Sequence, residues 1–157
     1  MELGTDPLAK IKDQALLLLK FRPRSEREMR ERLLRKKWPP ETVEALLEEF
    51  KKKGLIDDIR FARYFSTQQL LSKPVGRRLL LNSLKARGVD SDVASSEVER
   101  ACEGKEEVEM AREVARSRLP SLKGLNQQAA QRRLFGFLSR RGFSSDVVYR
   151  VVREFKE

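Results

Sequence analysis

The sequence predicts an all-α protein made of three tandem, helix-turn-helix-like repeats of three helices each, and three observations carry that prediction. Three segments, Met29–Phe50, Leu80–Ala101 and Leu134–Phe155, align without an internal gap, shifted by 51 residues (Leu33 to Leu84) and then by 54 (Leu84 to Leu138). A fixed period of this size marks a repeat architecture, in which each unit buries its apolar face partly against its neighbour. Apolar residues also recur at i, i+3, i+4, i+7, as in Val43, Leu46, Leu47 and Phe50 and in Val148, Val151, Val152 and Phe155, which is the pattern of an amphipathic helix. Finally, 37% charged and 39% hydrophobic residues in a chain of 157 leave little material for one deep core, so several small cores in series fit better.

Each repeat opens on a helix of its own, over Pro7–Phe21, Asp57–Ser72 and Glu106–Leu119, and the modules then divide as 1–55, 56–104 and 105–157. Ahead of the second opening helix, Gly54 ends the preceding one and Asp57 caps the next, where acid is favoured by the helix dipole; Ile56 is placed to staple onto Phe61. A pair of helices joined by a short turn follows each opening helix. In the repeat register Lys36, Arg87 and Arg141 coincide, as do Trp38, Val89 and Phe143. In Arg87-Gly88-Val89-Asp90 and Arg141-Gly142-Phe143-Ser144, Gly supplies the left-handed residue that ends one helix, and Asp or Ser caps the next. Val89 and Phe143 are then set to pack on Ala94 and Val148. The first repeat departs from this, with Lys37 in place of Gly and Pro39-Pro40 in place of the cap, which leaves its turn geometry open; Pro40 at the first helical position is well tolerated. The last helix of the middle repeat is weakly amphipathic, with Ala94, Val98, Ala101 and Cys102 interrupted by Glu97.

Charge is sorted along the chain. Ile59–Val89 and Val114–Ser145 contain no Asp or Glu and carry seven Lys or Arg each, whereas Asp90–Glu113 between them holds nine acids against three bases. With a net charge of +10, such sorting suggests a surface for an acidic or polyanionic partner. Chemistry is scarce by comparison. The chain has no histidine and one cysteine, so the commonest general base and the usual zinc ligand sets are missing. A phosphate-cradling glycine loop ending in Gly-Lys-Ser/Thr is also missing. These gaps predict a non-enzymatic protein with no cofactor and no metal. Cys102 alone excludes an internal disulfide, no apolar run reaches membrane-spanning length, and Met1–Pro7 lacks the pattern of a secretion signal. The expectation is a cytoplasmic protein without membrane contact.

Paired helices with a short turn are also the form of a DNA reader, whose second helix enters the major groove. Here the second helices are acidic, through Glu41, Glu44, Glu48 and Glu49 and through Asp92, Glu97 and Glu99, and phosphate would repel them. The positive charge lies on the preceding helices, in Arg77, Arg78, Lys85 and Arg87 and in Arg132, Arg133, Arg140 and Arg141. Those helices can dock on an acidic protein surface, contact phosphates without reading bases, or stand as solvated faces. Phe61, Tyr64, Phe65, Phe135 and Phe137 interleave with the charges as in single-strand binders, although their helical spacing fits a core.

At this point the chain resembles the RecX family of bacterial regulators of the RecA recombinase. The resemblance rests on Gly54-Leu55-Ile56-Asp57-Asp58 followed by Arg60-Phe61-Ala62; on Gly76-Arg77-Arg78-Leu79 followed by Leu84-Lys85-Ala86-Arg87-Gly88-Val89; and on Phe137-Leu138-Ser139-Arg140-Arg141-Gly142-Phe143. Ser25–Leu34 fits the opening unit more loosely. The resemblance implies an extended, curved array of three-helix modules lying along the groove of a RecA–DNA filament. There it implies inhibition of ATP hydrolysis, coprotease and strand-exchange activities, by a monomer without a catalytic centre. By analogy, filament or DNA contact falls to Arg77, Arg78, Lys85, Arg87, Arg132, Arg133, Arg140 and Arg141, with the RecA filament as partner and single- or double-stranded DNA as a second one. The competing reading is a protein that binds the DNA phosphate backbone, or a helix-turn-helix transcriptional regulator.

Overall fold

A computed structural model describes residues 6–155, so part of Met1–Pro7, read above for a secretion signal, lies outside the described residues. Among those residues every regular element is helical: α1 (Pro7–Phe21), α2 (Glu26–Arg35), α3 (Pro40–Lys52), α4 (Asp58–Ser72), α5 (Arg77–Ala86), α6 (Ser91–Ala101), α7 (Glu107–Arg118), α8 (Gln127–Arg140) and α9 (Ser145–Glu154). A short 3-10 turn, Leu119–Leu122, extends α7; the sequence pattern gave no sign of it. The helices pack in threes, α1 with α2 and α3, α4 with α5 and α6, and α7 with α8 and α9.

The turn inside each triplet has one geometry, including the one left open by Lys37. Lys37 takes a φ of 72°, against 87° for Gly88 and 89° for Gly142. In each turn this residue's N–H donates to the carbonyl three residues back, at 3.0 Å (Lys37 to Leu34), 2.9 Å (Gly88 to Lys85) and 3.0 Å (Gly142 to Ser139). The next N–H reaches five back, at 3.4 Å (Trp38 to Leu33), 3.1 Å (Val89 to Leu84) and 3.4 Å (Phe143 to Leu138). This is a Schellman ending, which satisfies the last carbonyls of a helix. Pro39 then stands at the N-cap and Pro40 opens α3, while the Trp38 indole N–H donates to Gln14 Oε1 at 2.7 Å. Asp57 and Asp90 cap α4 and α6 with their side chains. Ser144, expected to do the same for α9, makes no side-chain cap bond; its backbone N–H donates to Glu107 Oε1 instead, at 3.2 Å.

The expected series of small cores is realised as two among the described residues. Ile11, Ala15, Met29, Leu33, Val43, Leu46, Leu47 and Phe50 bury together in the first triplet, whereas the second and third triplets share one continuous core from Phe61 to Val152. The three repeat leucines Leu33, Leu84 and Leu138 have no exposed surface. Ile56 corrects the sequence reading: it packs into the first core, while Phe61 belongs to the second. Glu97, which interrupts the apolar face of α6, is buried and held by Nε and Nη2 of Arg63 at 3.2 Å each.

Candidate functional site

The basic helices meet at two junctions built from equivalent positions. Ser25 and Gly76 are 51 residues apart and Arg87 and Arg141 are 54 apart, the repeat offsets themselves. At the first junction the Ser25 hydroxyl donates to the Arg87 carbonyl at 2.7 Å. At the second, the Gly76 N–H donates to the Arg141 carbonyl, also at 2.7 Å. Each time, the turn that ends the middle helix of one triplet sits on the start of the middle helix of the triplet before it. A Cβ on Gly88 would lie 2.5 Å from the Cβ of Arg27, and one on Gly142 would lie 2.3 Å from the Cβ of Leu79. Gly88 and Gly142 are thus required twice, by their left-handed backbone and by the neighbour pressed against them. Lys37, in the corresponding place of the first triplet, is exposed, so a side chain is accommodated there.

The result is a train of helices in which α8 abuts α5 and α5 abuts α2. At 1.5 Å per residue the members are about 21, 15 and 15 Å long. Between the modules, the described hydrogen bonds and ion pairs join the first to the second and the second to the third.

The first junction is polar. Asp58 accepts from the Glu26 N–H at 2.9 Å, so this residue, read from sequence only as acid at a helix start, ties α4 to α2. Glu28 is bound by both terminal nitrogens of Arg22 at 3.2 and 3.1 Å and lies 3.9 Å from Arg87 Nε. Burial pushes the Glu28 carboxyl up, but the Arg22 and Ser25 hydrogen bonds and the charges of Arg22 and Arg87 outweigh it and hold the group below its ordinary range. For Asp58 burial dominates and pushes the carboxyl up.

The eight cations singled out in the sequence divide into two sets. Arg77 is paired with Glu99 at 3.0 Å, and Arg78 donates to the Ser139 carbonyl across the second junction at 3.2 Å. Arg87 donates to the Ser83 carbonyl at 3.0 Å and lies 4.4 Å from the centre of the Phe65 ring. Arg141 lies 5.1 Å from the Phe137 ring, which Arg118 also covers at 4.7 Å. These four knit the fold together with part of each side chain. Lys85, Arg132, Arg133 and Arg140 are exposed, and among the described residues no salt bridge engages them. Arg78's bond to Ser139 brings the start of α5 beside Arg140 and Arg141 at the end of α8. By contrast, the acids of α3 and α6 are largely spoken for: Glu44 by Arg30, Glu49 by Lys12 and Lys53, Glu97 by Arg63 and Glu99 by Arg77.

Of the aromatics, Phe61 is core, while Tyr64, Phe65, Phe135 and Phe137 are half-buried. Arg22, Lys73 and Arg118 stand close to this arrangement; Lys73 and Arg118 were counted among the cations of the acid-free stretches but not among the contact residues, and Arg22 was not singled out. The repeat register held the signal, since Arg22 and Lys73 are 51 residues apart. Among the described residues no cluster of His, Cys, Asp and Glu could hold a metal ion, and no helix is long and apolar enough to cross a membrane.

Comparison with known proteins agrees with this architecture along most of the chain. Residues 12–50 match the model of the first three-helix domain of RecX, and residues 105–152 that of the third. The curated Regulatory protein RecX of Amycolatopsis mediterranei is 37% identical over 148 residues, spanning 92% of this chain and 82% of the relative. That of Thermobifida fusca is 35% identical over 149 residues, spanning 95% and 80%. Among solved structures, RecX from Lactobacillus salivarius superposes with a TM-score of 0.72 at 19% identity, covering 94% of this chain and 95% of that one. A second RecX regulatory protein gives 0.76 at 21%, covering 94% and 72%. These two likenesses speak to the fold.

Proposed function

The chain belongs to the RecX family of regulatory proteins, and from that premise we propose that it docks along a RecA–DNA filament and suppresses its ATP hydrolysis, coprotease and strand-exchange activities. The contact surface in this reading is the basic side of α5 and α8: Arg77, Arg78, Lys85, Arg87, Arg132, Arg133, Arg140 and Arg141. The protein acts as a cytoplasmic monomer divided at 1–55, 56–104 and 105–157, and as a regulator rather than a catalyst.

The supporting observation is the repeated junction, which seats one basic helix on the start of the next. Exposed cations on consecutive modules then face an anionic fibre together, and once one module is engaged the others bind at high effective concentration. Many modest contacts over a long surface suit a partner that is itself a polymer. A major-groove reader is disfavoured, because the second helices α3 and α6 carry the acids.

Titrating the protein into RecA hydrolysing ATP on single-stranded DNA tests this. Strong inhibition at well below one copy per recombinase monomer is the expected result. Inhibition only once the DNA is saturated with the added protein would replace filament docking by competition for DNA.

A further inference from the structure

The third module departs from its own repeat on the face between α8 and α9. In the first module Arg30 on α2 and Glu44 on α3 face each other there and pair at 2.6 Å. Phe135 and Tyr149 take these two places in the third module, 105 residues on in each case, and their ring centres lie 4.9 Å apart with the planes at 57°. In the second module Arg77 and Glu99 pair across the same face at 3.0 Å. Gln131 and Arg153 stand in their places 54 residues on. The first two modules thus tie their middle helix to their last with an ion pair here, and the third carries neither pair.

In their stead lies a cavity of about 500 Å³ lined by Phe135, Tyr149, Val152, Gln131, Arg132 and Arg153. Val152 is buried, Phe135 is half-buried, and Tyr149 keeps 53% of its surface exposed, so the aromatic pair that replaces Arg30 and Glu44 leaves apolar surface in water. Gln131 turns its amide to the Val152 and Phe155 carbonyls at 3.4 and 3.5 Å. Among the described residues no carboxylate lines the cavity. Glu154, beside Arg153 in the chain, is bound by two nitrogens of Arg112 at 2.8 and 2.6 Å, and no described salt bridge engages Arg132 or Arg153. An apolar pocket with free guanidinium groups on both sides has the chemistry of an interface anchor: the pocket takes a side chain, and the forks take carboxylates. A nucleic-acid base would need an open, flat ring face, whereas two rings tilted at 57° enclose a cleft.

We propose that the cleft between α8 and α9 docks a protein segment carrying one bulky apolar side chain flanked by carboxylates. The apolar side chain packs on Phe135, Tyr149 and Val152, while Arg132 on α8 and Arg153 on α9 take the acids on either side. Apart from Arg132 the site lies outside the filament surface proposed above, and it stands or falls without the recombinase.

The test is fluorescence anisotropy of the full chain with a labelled peptide in which a single phenylalanine stands between two runs of aspartate. A net charge of +10 attracts any acidic peptide, so the second probe has glycine in place of the phenylalanine and should bind at least tenfold more weakly. That comparison needs no variant and reads the anchor on the intact protein. Tyr149→Ala should weaken binding of the phenylalanine peptide at least fivefold, while Tyr149→Phe retains it. Arg153→Glu brings in the acid that the second module has at this place and should cost at least tenfold, whereas Lys10→Glu makes the same charge change on α1 and should cost less than twofold. Equal affinity for the two peptides, or equal losses in Arg153→Glu and Lys10→Glu, would overturn the proposal. Loss of oligo-dT binding in Tyr149→Ala as large as the loss of peptide binding would overturn it too, and would give the cleft to nucleic acid.

Discussion

The two junctions occupy the same place in the repeat, yet they hold their modules together differently. At the first, Ser25 offers a hydroxyl to the Arg87 carbonyl, and Asp58, Glu28 and Arg22 surround it with charge-assisted bonds. At the second, Gly76 offers its own backbone N–H to Arg141, and the two stretches of backbone come so close that a Cβ on Gly76 would lie 2.2 Å from the Gly142 carbonyl oxygen. The first joins two separate cores and the second runs through one. Ser25 and Gly76 hold the same place in the repeat: at the serine a hydroxyl bridges the two backbones, and at the glycine the backbones themselves touch.

Substitutions at the second junction should have the largest effect. Gly76→Ala drives a methyl group into backbone at Gly142 and Phe143, with no flexible side chain to yield, and we expect a loss of about 3 kcal/mol or more in thermal or denaturant unfolding. Gly88→Ala at the first junction meets the Arg27 side chain, whose Cδ can swing away but whose Cβ, 2.5 Å off, moves only with α2. Its expected loss is about 2 kcal/mol, from the left-handed backbone and that contact together. If Gly88→Ala proves the worse of the two, the contrast drawn between the seams is wrong.

Acid should act on the first seam. Glu28 titrates below its ordinary range in the folded protein, so its contribution is fully present above the unfolded carboxyl pKa of about 4.3 and is lost as pH falls through the lowered folded value. Asp58 works in the opposite sense: its raised folded pKa means that lowering the pH through that value relieves the burial of its charge. Glu28→Gln should cost about 1 kcal/mol at neutral pH and reduce the acid lability seen in pH-dependent unfolding. An unchanged acid limb would remove Glu28 from the seam's energetics. The smallest effect is expected at the turn with no module against it, where Lys37→Gly should raise stability by about 1 kcal/mol, because glycine adopts the left-handed backbone without strain.

Much of this was legible in the sequence. Helix periodicity and cap residues placed the three opening helices to within a residue and a pair of helices about each turn, and the aligned Leu33, Leu84 and Leu138 are the buried centres they promised to be. Those signals are local, and so they were readable one segment at a time. Ile56 was misassigned because its neighbours in sequence belong to α4, while the surface it covers belongs to α3. The double duty of Gly88 and Gly142 was hidden for the same reason: a helix ending is written in four residues, but the partner pressed against it lies about 60 residues away. The eight basic residues were visible as charge, yet charge alone did not tell Arg87, laid over Phe65, from the exposed Lys85 two positions earlier.

That last distinction supplies the most direct test of filament docking. The four exposed cations with no described hydrogen bond or salt bridge, Lys85, Arg132, Arg133 and Arg140, can be replaced together by alanine without removing any junction bond, and binding of the labelled chain to a RecA filament held on single-stranded DNA can then be measured. The account predicts affinity reduced at least tenfold with an unchanged unfolding curve. Undiminished binding by that variant would contradict it.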